Sequence, residues 1–124
     1  MKTAQEIMIK NVVTIGPHET VAEAIRLMRD HRVGSLLVER VSPSDTWGTI
    51  TRTDVVHKVI APGREPGQVK VSDVMSKPIA TVRPDTSLQD CARLMGQEDI
   101  RRVFVFDGRN IVGILTASDI FRTL

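Results

Sequence analysis

Two seven-residue stretches carry the residue types best suited to chemistry: Gly48-Thr49-Ile50-Thr51-Arg52-Thr53-Asp54 and Gly113-Ile114-Leu115-Thr116-Ala117-Ser118-Asp119. Both read Gly-x-(Ile/Leu)-Thr-x-(Ser/Thr)-Asp, and an apolar residue follows each. Such a pattern marks a buried strand running into the first turn of a helix. The Thr hydroxyl can accept a hydrogen bond from a free backbone N–H of that turn. The remaining free N–H groups sit at the positive end of the helix dipole and attract an anion. An ionised Asp is an acceptor only and can take two hydroxyl protons at once. A hydroxyl acceptor beside a phosphate cradle suits a ribose 5′-phosphate. The competing reading is structural: Thr caps the helix and Asp complements its dipole. Two occurrences in 124 residues weigh toward binding.

Arginines stand near both stretches. Arg52 lies inside the first, and Arg101 and Arg102 precede an apolar run. A guanidinium fork matches phosphate geometry, although a solvated face is the plainer explanation for any single Arg. Arg52 is read as functional because it neighbours the expected phosphate. Cys91 falls on an apolar helical stripe opposite Ala24 of an earlier segment and reads as a small buried hydrophobe. His18, His31 and His57 lack metal-ligand spacing with the one Cys, so no metal site is expected. No nucleophile–base pair stands out either, and no catalytic residue is assigned. The enzyme alternative is a small nucleotide hydrolase or other metal-dependent enzyme using Asp54 or Asp119 with a divalent ion. Each motif offers one carboxylate to such a metal.

The elements that position these residues recur along the chain. A shift of 67 lays Met8 on Met75, Lys10 on Lys77, Thr14 on Thr81, Pro17 on Pro84 and Arg26-Leu27-Met28 on Arg93-Leu94-Met95. Further on the shift is 65, laying Gly48 on Gly113, Thr51 on Thr116 and Asp54 on Asp119. The first copy therefore has two extra residues, placed in the loop 41–47. Residues 12–15 and 79–82 read as short extended segments. Thr20-Val21-Ala22-Glu23 opens a helix with a capping-box pattern, and Ser87-Leu88-Gln89-Asp90 is its weaker equivalent. Apolar positions 21, 24, 25, 28 and 88, 91, 92, 95 keep helical spacing. Residues 36–38 and 103–106 are strands, and so are 47–50 and 111–115. Asp107-Gly108-Arg109-Asn110 is a hairpin turn by composition. Helices from Thr53 to Ile60 and from Ser118 onward close the copies. Trp47 stands where the second copy has Val112 and is expected at a cleft edge or subunit contact.

This gives strand, helix, strand, strand, helix, twice over: a first repeat at 1–61, a turn-rich linker at 62–70 containing Pro62-Gly63 and Pro66-Gly67, and a second repeat at 71–124. One copy has too few strands to cover its own core, so the expected fold is α+β with the repeats related by a pseudo-two-fold and packed through their sheets. Composition is that of a soluble globular chain, 41% hydrophobic and 26% charged. A single Cys and the absence of a signal-peptide pattern or long apolar run suggest a cytoplasmic protein. A net charge of +2 slightly favours anionic small molecules, while no basic run and 3% aromatics leave weak nucleic-acid binding as a lesser alternative; no apolar run is long enough for a membrane partner.

At this point the chain resembles the cystathionine-β-synthase (CBS) domain family. The duplicated unit, the Gly-x-x-Thr-x-x-Asp motif at each last strand–helix junction, and the opening Met-x-Lys-x-(Val/Ile)-x-Thr-(Ile/Val)-x-Pro carry the likeness. It extends from about Thr3 to Leu124, and the run Thr51–Ile60 with its Pro-Gly linker looks like the stand-alone members. The resemblance implies a paired, or Bateman, module that binds AMP, ADP or ATP in two clefts, each built from both copies. One cleft would join Thr116, Ser118 and Asp119 to Val12, Val13, Arg32, Val33 and Gly34. The other would join Thr51, Arg52, Thr53 and Asp54 to Ile79, Ala80, Ile100, Arg101 and Arg102. It further implies energy sensing without chemistry, a homodimer formed through helices such as those ending at Ile60 and Leu124, and a separate target protein.

Overall fold

The computed structural model describes residues 2–124; Met1, where the first repeat is taken to begin, lies outside the described residues. The fold is α+β, with two three-stranded sheets. In the first, β1 (Thr14–Ile15) pairs parallel with β2 (Ser35–Val38), which pairs antiparallel with β3 (Gly48–Thr51). In the second, β4 (Thr81–Val82) pairs parallel with β5 (Arg102–Phe106), which pairs antiparallel with β6 (Ile111–Thr116). The helices are α1 (Ala4–Ile7), α2 (Val21–His31), α3 (Arg52–Val55), α4 (Leu88–Glu98) and α5 (Ala117–Phe121). Helix α3 runs on as a wider π-helical turn, Val56–Ile60, with Val59 buried.

Local chemistry explains the boundaries. Thr20 and Ser87 cap α2 and α4, accepting from the N–H of Glu23 at 3.2 Å and of Asp90 at 3.1 Å. The expected reciprocal bond from Glu23 is absent, because Arg26, one turn on, takes both carboxylate oxygens. Both helices end on a left-handed residue, Arg32 at φ 55° and Asp99 at φ 53°. The Asp107 carboxylate accepts the N–H groups of Arg109 and Asn110 at 2.8 Å, and Gly108 takes φ 104°, which makes the β5–β6 turn. Trp47 carries the Arg40 guanidinium 4.1 Å from its ring centre, a cation–π contact at the loop where the first copy is longer.

The chain forms two compact units that cut across the sequence repeat: Val13–Ile79, and the segment ending at Val12 together with Ala80–Leu124. In the first unit Val69, Val71 and Val74 join the core of Val21, Ala24, Leu36, Ile50 and Val59. Val69 O accepts the N–H of Val21 at 2.8 Å, and Val71 N donates to Glu19 O at 2.8 Å. In the second unit Ala4 joins Cys91, Met95, Val103, Val105 and Leu115, and Ala4 N donates to Thr86 O at 2.8 Å. The segment that opens each copy in sequence therefore packs on the other copy. Lys70 bridges Thr20, as Thr3 bridges Ser87, and Ser76 bridges Thr49, as Ile9 bridges Ile114.

The glycine of each motif follows from this exchange. A Cβ on Gly113 would lie 2.3 Å from Met8 Sδ and 2.7 Å from its Cγ. A Cβ on Gly48 would lie 3.0 Å from Met75 Sδ and 3.2 Å from the carbonyl oxygen of Ser76. Met8 and Met75 are repeat equivalents, and each crosses the strand of the opposite copy.

Two outcomes are expected. A fragment of residues 13–79 should melt cooperatively by circular dichroism, whereas residues 1–61, deprived of Val69, Val71, Val74 and Met75, should give no transition. The Cys91 thiol is wholly buried, and that burial pushes its pKa upward. It should resist a thiol reagent at pH 8 in the native protein and react on unfolding, read by absorbance of the released thiolate.

Candidate ligand-binding site

Both motifs form the same closed geometry. Thr51 is extended at φ −122° and ψ 165°, and its Oγ1 accepts from the N–H of Asp54 at 3.1 Å. Asp54 Oδ2 accepts in return from the N–H of Thr51 at 2.9 Å. Thr116 and Asp119 repeat this reciprocal box with the same distances, 3.1 Å and 2.9 Å. The structural reading of Thr and Asp is thus realised in both copies, and Asp takes the place usually held by Glu or Gln in such boxes.

One carboxylate oxygen of each Asp is left over. Lys58 Nζ stands 3.2 Å from Asp54 Oδ1 and also donates to Val74 O at 3.0 Å. Arg122 donates to Asp119 Oδ1. Asp119 is 7% exposed, while the Arg122 side chain is 67% exposed. A buried carboxylate must be hydrogen-bonded or paired, and here the box and the arginine do both. A carboxylate offers about four lone-pair directions, so Oδ1 can still accept from an incoming hydroxyl beside or in place of the exposed cation. Thr53 and Ser118 are exposed one residue before each Asp, and their hydroxyls make no hydrogen bond among the described residues.

The arginines follow a rule visible only when the units are laid side by side. Arg52 N donates to Gly34 O at 3.1 Å, and Ala117 N donates to Arg101 O at 2.8 Å. These bonds are equivalent, yet the residue types are exchanged across them. The Arg52 guanidinium lies over Gly34, with Cζ 3.5 Å from where a Cβ would stand. In the second unit Arg101 occupies the place of Gly34, and Ala117 that of Arg52. Each unit thus keeps one arginine at its strand–helix junction, carried on opposite sides of the equivalent backbone bond. The signal was the aligned pair; reading Arg52 and Arg101 singly misses it. Arg102 is half-buried and already engaged.

Two cavities open beside these junctions. The larger, about 540 Å³, lies in the first unit between α2 and α3. Ile25, Met28, Val55, Val56 and Ile60 line it, with Arg29, Arg32 and Arg52. The second unit has a cavity of about 430 Å³ lined by Ala117, Ser118, Phe121 and Arg122. Arg32 and Arg52, expected in different clefts, line the same cavity, and Gly34 lies under Arg52. Val13 O accepts Leu37 N at 2.9 Å, and Val33 N donates to Met28 O at 3.0 Å. Val13, Val33, Gly34 and Ile79 thus belong to the unit of Thr51, Arg52, Thr53 and Asp54. Val12, Ala80, Ile100, Arg101 and Arg102 belong to the unit of Thr116, Ser118 and Asp119, where Ala80 O accepts Phe104 N at 2.9 Å and Ile100 N donates to Met95 O at 3.0 Å. Among the described residues, no group of three or more His, Cys, Asp or Glu side chains could hold a metal ion, and no helix is long and apolar enough to cross a membrane.

Comparison with known proteins shows the family and the fold. The chain is 37% identical over 120 residues to the CBS domain-containing protein YhcV of Bacillus subtilis, covering 97% of this chain and 84% of that one. It is 34% identical over 125 residues to Hypoxic response protein 1 of Mycobacterium tuberculosis, covering 100% and 86%. A structure of Hypoxic Response Protein I with two coordinated zinc ions superposes with a TM-score of 0.81 at 31% identity, covering 99% of both chains. A hexameric CBS-CP12 protein from bloom-forming cyanobacteria superposes with a TM-score of 0.93 at 41% identity, covering 98% of this chain and 70% of that one. The CBS domain model matches twice, at residues 4–61 and 71–124, and the chain therefore belongs to the CBS domain family as a tandem pair of CBS domains.

Proposed function

We propose that this CBS pair is a non-catalytic regulatory module that senses adenosine nucleotides, AMP foremost with ADP and ATP as competitors, and passes the signal to a partner protein. One observation carries the reading. Each copy sets a carboxylate oxygen, spared by the capping box, against only an exposed cation, beside an unbonded Ser or Thr hydroxyl. A ribose diol can take that oxygen. The phosphate then meets the displaced cation, the hydroxyl and the helix start, where negative charge is favoured. The guanidinium kept by each unit, Arg52 or Arg101, adds a second fork.

The roles follow the two motifs. Asp119 with Thr116 and Ser118 holds ribose and phosphate in the second unit. Asp54 with Thr51, Thr53 and Arg52 does so in the first, beside the cavity that Arg29 and Arg32 also line. A single carboxylate with one oxygen committed to backbone is poorly placed to act as a base, so the nucleotide leaves unchanged. Exposed apolar residues at the end of each repeat, Val56 and Ile60 at 53%, Phe121 at 73% and, beyond the last helix, Leu124 at 93%, support a homodimer. Assembly of copies also occurs in the hexameric CBS-CP12 relative.

Titration calorimetry should show AMP binding with Kd on the order of 10 μM, from roughly 23 non-hydrogen atoms at about −0.3 kcal/mol each. Asp54→Asn and Asp119→Asn should each remove one site with little change in melting temperature, since Asn keeps an acceptor for the box. Unaltered nucleotide should be recovered afterwards. Heat unchanged in the double variant would refute the ribose role. Light scattering at micromolar protein should give a dimer, and Phe121→Asp should weaken it by about tenfold or more, as loss of a buried aromatic anchor does.

A further inference from the structure

We infer that the first unit binds an amphiphilic anion, an unbranched acyl chain ending in a carboxylate, in the cavity between α2 and α3. Asp54, the ribose acceptor, does not line this space, so the site is separate from that of the nucleotide. The interior is apolar. Met28 and Val55, 6% and 7% exposed, form its floor, and Ile25 joins them from the edge of the core. Val56 and Ile60, each 53% exposed, stand at the mouth. The wall that carries these two is the π-helical turn Val56–Ile60, a rare form found often at functional sites. An apolar void of about 150 Å³ takes up benzene, so about 540 Å³ has room for a tail of about twelve carbons and its head group.

Three guanidinium groups mark the place of the head. Arg29, Arg32 and Arg52 line the same cavity, and none has an ion-pair partner among the described residues. Their neighbour Arg26 is instead held by Glu23 and Asp30. Three like charges around one apolar space repel one another, and an anion relieves that repulsion. A guanidinium fork meets a carboxylate through two parallel hydrogen bonds. The second unit shows that the fold does not need these charges. There Gly96, Asp99 and Ala117 replace Arg29, Arg32 and Arg52, while Met95 and Ile120 keep the apolar character of Met28 and Val55. Arg32 and Asp99 end their helices with the same left-handed backbone, φ 55° and 53°, so the turn accepts either sign. What the first unit adds is positive charge beside an apolar floor. Adenine suits such a space poorly, because its exocyclic amine is a donor and the polar side chains lining the cavity are all arginines, which only donate. A tail without polar atoms and a head without a proton to give suit it well.

Titration calorimetry of the full chain with dodecanoate, kept below its micellar concentration, tests this. One site per chain is expected, with Kd on the order of 100 μM for about 14 non-hydrogen atoms. Decanoate, shorter by two methylenes, should bind about tenfold more weakly. Dodecanol and acetate, the tail and the head alone, should show no saturation at millimolar concentration. The variant R29Q/R32N removes two guanidinium groups and keeps a residue that tolerates the left-handed backbone; it should weaken dodecanoate by about tenfold or more. The variant D54N/D119N should bind dodecanoate as wild type does while losing the heat of AMP, so the two sites are read separately. Dodecanoate that fails to saturate, or that binds R29Q/R32N with wild-type affinity, overturns the proposal. Loss of dodecanoate in D54N/D119N places the anion at the ribose acceptor and overturns it too. An affinity that falls as protein concentration rises makes a second copy the occupant, with the same consequence. Should R29Q/R32N lose its circular dichroism, the comparison of dodecanoate with decanoate and dodecanol on wild type decides.

Discussion

The structure depends on an exchange of segments. Met8 crosses Gly113, and Met75 crosses Gly48, each lying against the copy it does not open. The strand beneath must be bare at that point, since a Cβ on Gly113 would stand 2.3 Å from sulfur. Neither repeat, cut at the boundary its sequence suggests, holds all of its own core. The first needs Val69, Val71 and Val74, and the second needs Ala4. A short domain buries too little surface to lose such residues cheaply. Duplication and folding are thereby locked together, and the glycine that starts each motif belongs to this lock rather than to any ligand.

The Thr and Asp that end each motif have a structural role that leaves part of the carboxylate unspent. A reciprocal box uses one oxygen of the Asp and the single acceptor bond that Thr needs. It orients the carboxylate and holds it at the helix start, where its charge is favoured. The oxygen that remains is aimed by the box and paired to a long side chain one turn further along. Positioning of this kind lowers the entropy that a ligand must overcome.

Much of this was legible in the residues. The two-fold repeat, its element order and the capping Thr follow from apolar spacing and from hydroxyls placed before helical runs. Cys91 proved to be the buried hydrophobe that its alignment with Ala24 suggests. What failed to show was non-local. Glu23 fits a capping box by position, but Arg26 within reach takes its carboxylate, and nothing in a local pattern ranks those partners. The exchange of opening segments is equally silent, because repeats aligned in sequence say nothing of which copy a segment packs upon. Trp47 aligns with Val112, yet its partner Arg40 lies on a loop the second copy lacks in that form.

Differences between the copies are the more informative half of the alignment. Gly, Thr, Asp and the crossing Met recur because the exchange and the box need them in both units. Arg29, Arg32 and Arg52 recur as Gly96, Asp99 and Ala117, although the backbone beneath is the same to within a few degrees at Arg32 and Asp99. A charge that the fold can dispense with in one unit is not maintained in the other for the sake of folding. Gly34 with Arg52 against Arg101 with Ala117 makes the complementary point, for there the guanidinium is kept while its carrier changes. One set of positions has diverged in sign and the other has preserved a charge across a swap of residues.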